Sequence, residues 1–337
     1  MKRRCATGRI GFLSFLFWTG FVASAEPLTI TRTVSNGGVR LVATLDLPDG
    51  PGPHPVVVAL HTSAAGERDF PSYRHLTQVL PARGIGVARY DRRGSGTSTG
   101  NFERASFPDL ASDARAVIRW ARSLDSVDRR RVALWGMSQG GWIAPLVAAQ
   151  DSSIAAIVIV SGPGVAPAEQ MIYSAETALR EAGYPRPVIE RAVRLRRAVD
   201  AYYAGKKSRK EVAALLVSAR SEPWYELTYL RPELPRDVKS SKWYYQFAFD
   251  PAASIAKIRA PILLLFADRD PWVPVNESIA AWKARARTDL TVRRIPGTNH
   301  FMAGTTEAAH DLDPEPVSGE YTRVMTEWLT RTLAAAK

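Results

Sequence analysis

The chain has 337 residues, 46% of them hydrophobic, which is enough for one large globular domain with an insertion. Its formal net charge is +12, but the basic residues are scattered rather than interleaved with aromatic residues, which argues against a nucleic-acid partner. Cys5 is the only cysteine, and no histidine pair has zinc-binding spacing. We therefore expect neither disulfides nor a bound metal, and we predict no cofactor.

Residues 1–25 have the pattern of a secretory signal peptide. Basic residues at 2–4 precede an apolar segment at 11–22 that is short for a membrane span, and small residues at 23–25 offer a cleavage site before Glu26. Four basic side chains leave with this leader, which lowers the net charge to +8. The pattern predicts export to the periplasm or the medium with no stable membrane span after cleavage. The alternative is an uncleaved anchor.

Strand-like segments alternate with helix-like segments along most of the chain. Thr29–Val34 and Val39–Asp46 are predicted to pair antiparallel around a Gly-containing turn. Further strands are predicted at 55–60, 85–90, 131–135, 154–160, 261–266 and 290–295. This alternation predicts the α/β class, with a doubly wound, mostly parallel eight-stranded sheet. Active sites of such sheets lie at the carboxyl ends of the strands.

The loop that follows the strand at 55–60 begins His61-Thr62-Ser63. The backbone amide of Ser63 would sit at the carboxyl end of the sheet and could help to hold a negative charge that develops there. The alternative is an ordinary polar loop. His61 itself ends a buried strand, which favours a structural role.

The segment Gly136-Met137-Ser138-Gln139-Gly140 joins an apolar strand directly to a helix-like stretch at 142–149. A serine on such a sharp turn has its hydroxyl pushed out of the sheet, and the flanking glycines leave room for the strained backbone. Ser138 is thus a candidate nucleophile, and the backbone amide of Gln139 a candidate donor to an oxyanion. The alternative is a chance match to the pattern.

Residues 165–254, here called the cap, show no strand pattern and are predicted to be helical and rich in aromatic residues. The aromatic side chains are expected mainly in the cap's own core, with some facing a substrate. A stretch of helical spacing carries four arginines, at 191, 194, 196 and 197, and we expect these to form a solvated helix face.

Two late strands end in residues that could complete a serine site. The apolar strand at 261–266 leads to Asp268 and Asp270, and the strand at 290–295 leads to His300. A histidine in this place could accept the proton of Ser138, and a carboxylate could orient its ring. The spacing alone leaves Asp268 and Asp270 both open. His310 lies in an acidic loop and is expected to be exposed.

The loop Tyr90-Asp-Arg-Arg-Gly-Ser-Gly-Thr-Ser-Thr-Gly100 resembles the YDxRGxGxSxG loop of α/β-hydrolases close to the prolyl-oligopeptidase-like and serine-aminopeptidase-like branches. Phe107–Asp113 and Ser161–Gly164 are similar to segments of the same superfamily. The resemblance implies a Ser-Asp-His triad of Ser138, Asp270 and His300, because the family spacing acid-x-x-Val-Pro selects Asp270 over Asp268. One departure is Thr62, where family members usually carry glycine after the histidine.

Together these patterns predict the following organisation: a signal peptide at 1–25, a hydrolase core at 26–164 and 255–337, and the inserted helical cap at 165–254. The function predicted is an exported serine hydrolase that cleaves small carboxylic esters through an acyl-enzyme on Ser138. A peptidase or amidase is the first alternative, and a catalytically silent binding protein on the same fold is the second. The sequence does not indicate the oligomeric state.

Overall fold

A computed structural model describes residues 28–268, 270–304 and 316–336. The expected signal peptide at 1–25 and the loop position of His310 lie outside the described residues. The predictions of export and of an exposed His310 therefore remain predictions.

The core is an eight-stranded sheet in the order β1-β2-β4-β3-β5-β6-β7-β8. β1 pairs antiparallel with β2 and β2 antiparallel with β4, whereas all the later neighbours are parallel. The predicted α/β class and mostly parallel eight-stranded sheet are thus confirmed. The strands are β1 Thr29–Asn36, β2 Val39–Asp46, β3 His54–Leu60, β4 Gly86–Tyr90, β5 Val127–Met137, β6 Ile154–Val160, β7 Ile262–Ala267 and β8 Leu290–Ile295.

The central strands are continuous apolar runs because the sheet is covered by helices on both faces. Alternate residues of β3 show this directly: Val56 and Val58 belong to one buried cluster, whereas Val57 and Ala59 belong to another. Helices α2 and α3 pack in the first cluster, and α1 and α10 pack in the second. The core helices are α1 Pro71–Val79, α2 Phe107–Arg122, α3 Gly140–Ala148, α9 Val275–Arg285 and α10 Gly319–Ala335.

Between β6 and β7 the chain forms helices and loops without a strand, over a stretch that the structure describes in full. The helices of this stretch are α4 Pro167–Glu181, α5 Arg186–Tyr203, α6 Arg209–Ala219, α7 Lys242–Gln246 and α8 Ala252–Ile255. The first three enclose an apolar cluster of their own that includes Leu195, Tyr202 and Trp224. Because this cluster is separate from the two that lie on the faces of the sheet, the cap has its own core.

One expectation about the cap is wrong. Arg196 is only 3% exposed, whereas Arg191, Arg194 and Arg197 remain at the surface of α5. The helical spacing of its apolar neighbours could not show this, because the loop at 226–230 covers that part of the helix only in the folded chain. Among the described residues, no helix has the length and apolar character required to cross a bilayer.

Candidate active site

Ser138 lies on a strained turn between β5 and α3. Its φ of +52° is in the left-handed region, which non-glycine residues rarely adopt. The turn is held on both sides: Ser138 N–H donates to Val160 O at 2.9 Å, and Gly141 N–H donates to Ser138 O at 2.8 Å. The amino terminus of α3 therefore starts directly beside the Ser138 side chain, where its dipole favours negative charge.

The glycines that flank Ser138 are required by close backbone packing. A Cβ on Gly136 would lie 2.6 Å from Gly140 O, and a Cβ on Gly140 would lie 2.9 Å from Leu60 O. Both contacts are shorter than carbon–oxygen packing allows, and both partners are backbone atoms that cannot rotate away. The turn thus excludes any side chain at these two positions.

Gly136→Ala is expected to lower the free energy of unfolding by about 2 kcal/mol or more, because the added methyl group overpacks the turn. Urea denaturation followed by tryptophan fluorescence measures this change. Gly319→Ala is the matched control, because a Cβ there meets no atom within 4 Å and Gly319 begins α10. The control should stay within about 0.5 kcal/mol of the parent. Equal stability of the two variants would contradict this account of the turn.

Two backbone amides near Ser138 are available to a ligand. Thr62 N–H donates to the Tyr73 hydroxyl at 2.9 Å, and Ala64 N–H donates to Thr62 Oγ1 at 3.4 Å. Between them, the N–H of Ser63 has no acceptor among the described residues, and the same holds for the N–H of Gln139. Both residues line the cavity that contains Ser138. The arrangement is that of two donors left free for an incoming oxygen.

Arg92 positions the loop that carries Ser63. Its Nη1 donates to Thr62 O at 2.9 Å and to Ser63 O at 3.4 Å, and its guanidinium lies 3.4 Å from the centroid of the Phe102 ring. Burial lowers the pKa of Arg92 to about 10, so it stays charged at neutral pH. The clamp offers a physical explanation of how the loop holds its shape with Thr62 in place of glycine.

The structure brings His300 and Asp270 together at the carboxyl ends of β8 and β7. His300 Nδ1 lies 2.7 Å from Asp270 Oδ2, and both side chains are almost fully buried. The other carboxylate oxygen accepts from the backbone N–H groups of Trp272 and Val273, at 2.9 and 3.0 Å. Asp268 is exposed and lies outside this network. The carboxylate therefore fixes a ring tautomer with Nδ1 protonated and Nε2 free to accept a proton.

The Ser138 hydroxyl has no hydrogen-bond partner among the described residues, so no hydrogen bond joins it to the His300 ring. Trp272 lies between the Ser138 cavity and His300: it lines the cavity, and its ring centroid lies 4.8 Å from that of the His300 ring. Catalytic hydrogen bonds are often long before substrate binds.

The Ser138 cavity has a volume of about 250 Å³ and opens between the sheet edge and the cap. Its wall also contains Ser63, Gln139, Trp142, Gln170, Met171, Ser174, Tyr229 and Trp272. The cap helix α4 is tied to the loop after β7: Gln170 Nε2 and Ser174 Oγ both donate to Trp272 O, at 2.5 and 2.9 Å. The cap thus supplies part of the site and holds the loop that carries Asp270.

No role in the site was predicted for Trp272, Gln170, Ser174 or Gln246. Gln246, in the cap, donates to Ala105 O at 2.9 Å and accepts from Gln139 Nε2 at 3.3 Å. These two contacts join residues that are 141 and 107 positions apart in the chain, and no motif in the sequence marks them. Only Trp272 had a signal, because it lies within the acid-x-x-Val-Pro segment.

His61 is a buried structural residue, in agreement with its prediction. Its Nε2 lies 2.6 Å from Tyr90 O, and the Tyr73 and Tyr90 rings pack edge-on against it. Burial, reinforced by the nearby charge of Arg92, lowers the pKa of His61 from 6.5 to about 3. The folded protein therefore keeps this imidazole neutral, whereas the unfolded chain protonates it below about pH 6.5.

This pKa shift predicts a loss of stability in mild acid. Because the folded pKa lies below the unfolded one, His61 costs no stability above about pH 6.5 and reduces stability progressively between pH 6.5 and 3. At pH 5 the free energy of unfolding should be lower by about 2 kcal/mol than at pH 7.5 from this residue alone. His61→Gln keeps a donor for Tyr90 O but does not titrate. Urea denaturation of both proteins at the two pH values should show a smaller pH-dependent loss in the variant; identical losses would contradict the assignment.

The fold and the placement of these groups define the class of protein: an α/β-hydrolase. Residues 37–302 match the family model of the X-Pro dipeptidyl-peptidase (S15 family), which covers well over half of the chain, and the chain belongs to this family. The predicted resemblance to α/β-hydrolases is thus confirmed, and membership of this family supports hydrolase activity.

Individual relatives are more distant. An uncharacterized 31.7 kDa protein of Escherichia coli is 23% identical over 309 residues, which are 91% of this chain and 100% of the relative. Est1E from Butyrivibrio proteoclasticus, solved with ferulic acid bound, has a TM-score of 0.58 at 19% identity, over 90% of this chain and 99% of Est1E. The proline iminopeptidase of Mycobacterium smegmatis has a TM-score of 0.58 at 18% identity, over 91% of this chain and 100% of that chain. At these identities the two solved structures support the fold alone.

Proposed function

We propose that this hydrolase is a carboxylesterase that works through an acyl-enzyme on Ser138. The observation that carries the proposal is the buried Asp270–His300 pair, which lies at the carboxyl ends of β7 and β8, the edge of the parallel sheet at which the strained Ser138 turn follows β5. A nucleophile, a base and an orienting carboxylate are the three groups that acyl transfer requires. Metal and cofactor are not needed in this mechanism.

In the proposed reaction, Ser138 Oγ attacks the ester carbonyl carbon while its proton passes to His300 Nε2. The carbonyl oxygen becomes an oxyanion and accepts from the free N–H groups of Gln139 and Ser63. The C–O bond to the alcohol then breaks, and His300 returns the proton to the departing alcohol oxygen. Water repeats the sequence on the acyl-enzyme and releases the acid. Asp270 remains ionised and stabilises the imidazolium throughout.

Esters are favoured over peptides by the wall of the Ser138 cavity. None of its described residues is acidic, and Trp142, Met171 and Trp272 make much of it apolar. A carboxylate is the strong partner for the free ammonium of a substrate that a peptidase cleaves from its amino terminus. The cap as a whole is basic, with 15 Lys and Arg against 11 Asp and Glu over residues 165–255. Membership of a peptidase family keeps the peptidase or amidase as the second candidate.

Parallel assays of p-nitrophenyl butyrate and of alanyl-prolyl and prolyl p-nitroanilides test this choice. We expect kcat/KM for the ester to exceed that for either amide by about 100-fold or more after allowance for intrinsic reactivity, measured as the hydroxide-catalysed rate of each substrate. A higher kcat/KM for either amide than for the ester, after the same allowance for intrinsic reactivity, would indicate a peptidase instead. Labelling with a fluorophosphonate probe separates both enzymes from a silent binding protein, which should not react.

Export is part of the proposal and depends on the leader pattern at 1–25. We expect the protein recovered outside the cytoplasm to begin at Glu26. Edman sequencing of that material, with a variant in which Ala23 and Ala25 are both replaced by leucine as control, tests the prediction. An unprocessed amino terminus on exported wild-type protein would favour the anchor.

A further inference from the structure

A second cavity lies inside the cap, next to the Ser138 cavity. It has a volume of about 180 Å³, and the two cavities share Met171 and Tyr229 in their walls. Met171 is on α4, whereas Tyr229 follows a short 3-10 turn at 226–228. A substrate group that passes Tyr229 from Ser138 would enter this second space, which we call the cap cavity.

Arg196 is a buried cation in the wall of the cap cavity. It is 3% exposed, and its Nη1 donates to Thr228 O. Its Nε has no hydrogen-bond partner, and no carboxylate among the described residues forms an ion pair with it. Asp200 is an electrostatic neighbour, but it accepts a hydrogen bond from Trp243 Nε1 at 2.8 Å. Burial of a guanidinium that makes no direct ion pair is costly, and an anion bound directly to it would offset part of that cost.

Two further cations stand at the edge of the same cavity. Arg231 and Lys242 line it, and both are held by Glu103 of the hydrolase core, at 3.2 and 3.6 Å. The described part of the wall contains one acid, the exposed Glu233. The cations therefore outnumber the carboxylates in the wall itself, although Glu103 and Asp200 lie close behind them. Lys242 Nζ also lies 4.3 Å from the centroid of the Phe102 ring.

The residue between the two cavities is strained. Tyr229 has a φ of +55° and is 44% exposed, although a tyrosine in the left-handed region is unfavourable. Arg196 holds the carbonyl of the preceding residue, Thr228, so the cation and the strained residue are coupled through one hydrogen bond. Backbone strain of this kind concentrates at sites that bind ligands.

We propose that the cap cavity binds a carboxylate group of the substrate through Arg196, so that the enzyme selects esters that also carry a free carboxylate. The inference rests on the proposed esterase function and specifies its substrate class. The volume suits a short chain that ends in a carboxylate, as in half-esters of small dicarboxylic acids. Arg196 is then a specificity-determining residue, and Arg231 and Lys242 attract the anion toward it.

Matched substrates test the proposal. Mono-p-nitrophenyl glutarate carries a carboxylate on its acyl group, and p-nitrophenyl hexanoate has an apolar chain of similar length. Butyryl glycolate and ethyl butyrate form the corresponding pair with the carboxylate on the alcohol side. We expect wild-type kcat/KM to be about 10- to 100-fold higher for the charged member of one pair, mainly through KM. No preference in either pair would overturn the proposal.

Arg196→Gln is expected to remove this preference while leaving kcat/KM for the neutral ester within about threefold. A merely structural role of Arg196 predicts instead that both members of the pair lose activity equally, and that result would overturn the proposal. If Arg196→Gln does not fold, the double variant Arg231→Gln/Lys242→Gln serves in its place. We expect this double variant to raise KM for the charged ester about three- to tenfold and to leave KM for the neutral ester unchanged. An unchanged ratio of the two KM values would contradict the proposal.

Binding can be measured without any ester turnover. Glutarate titrated calorimetrically into Ser138→Ala should bind with millimolar or tighter affinity, and glutaramide, its neutral analogue, should not. Binding of glutarate by a protein that hydrolyses no ester would overturn the proposed esterase function but keep the carboxylate site. Ester turnover without glutarate binding and without a preference for the charged ester would keep the proposed esterase function but overturn the carboxylate site.

Discussion

Ser138→Ala is expected to lower kcat for p-nitrophenyl butyrate by about 10⁴-fold or more, to a level set by oxyanion stabilisation and binding alone. The serine oxygen is the only atom that the substitution removes, and it has no hydrogen-bond partner among the described residues. Alanine must adopt the same left-handed φ of +52° at a cost similar to that of serine. The free energy of unfolding should therefore change by less than about 1 kcal/mol.

Ser161 offers a matched control for Ser138. It also is a non-glycine residue in the left-handed region, with a φ of +47°, and it follows the neighbouring strand β6. Its hydroxyl is fully buried and has no hydrogen-bond partner in the part of the chain that the structure describes, so Ser161→Ala removes no hydrogen bond seen there. We expect turnover of this variant to stay within about threefold of the parent. Ester turnover in Ser138→Ala above a tenth of the wild-type rate would exclude Ser138 as the nucleophile.

Asp270→Asn is expected to lower kcat by about 10³- to 10⁴-fold with little change in fold. An asparagine oxygen can still accept from the N–H groups of Trp272 and Val273, which leaves its amide nitrogen facing His300. That amide N–H donates a hydrogen bond to Nδ1 and therefore favours the tautomer with Nε2 protonated. His300 can then no longer accept the proton of Ser138.

Asp268→Asn is the control for Asp270→Asn, because both residues follow β7 and only Asp270 touches His300. The exposed carboxylate of Asp268 should be dispensable, with kcat within about threefold of wild type. Steady-state rates with p-nitrophenyl butyrate at pH 8 measure both variants. A loss in Asp268→Asn as large as that in Asp270→Asn would mean that the acid had been assigned to the wrong residue.

The fold could be predicted largely from local patterns. The apolar runs at 55–60, 154–160 and 261–266 are typical of parallel strands buried on both faces, and the structure has strands at these places with ends shifted by one residue at most. The strand predicted at 131–135 is longer, at Val127–Met137, because its polar first half pairs with β3 through an irregular register. Strand ends depend on such pairing and are not visible in periodicity.

The candidate site also combines residues that local patterns predict with contacts that only the folded chain shows. Ser138, Asp270 and His300 can be proposed from the sequence because each follows a strand in a recognisable segment, and carboxyl ends of parallel strands share one edge of the sheet. Arg196 was misjudged as a solvated residue because helical spacing records which side chains are apolar, not which loop covers the helix. The contacts of Gln170, Ser174 and Gln246 were likewise invisible, since they join the cap to distant core loops.

The sequence by itself thus determined the α/β-hydrolase architecture, the strained serine turn and the order of the reactive groups, because these depend on hydrophobic periodicity and on glycine at crowded positions. Only the tertiary structure decided what encloses the Ser138 cavity and where a buried cation lies beside it without an ion pair among the described residues. Those features arise when the cap folds over the sheet. Contacts between segments far apart in the chain do not alter the hydrophobic periodicity of either segment, so the sequence pattern does not predict them.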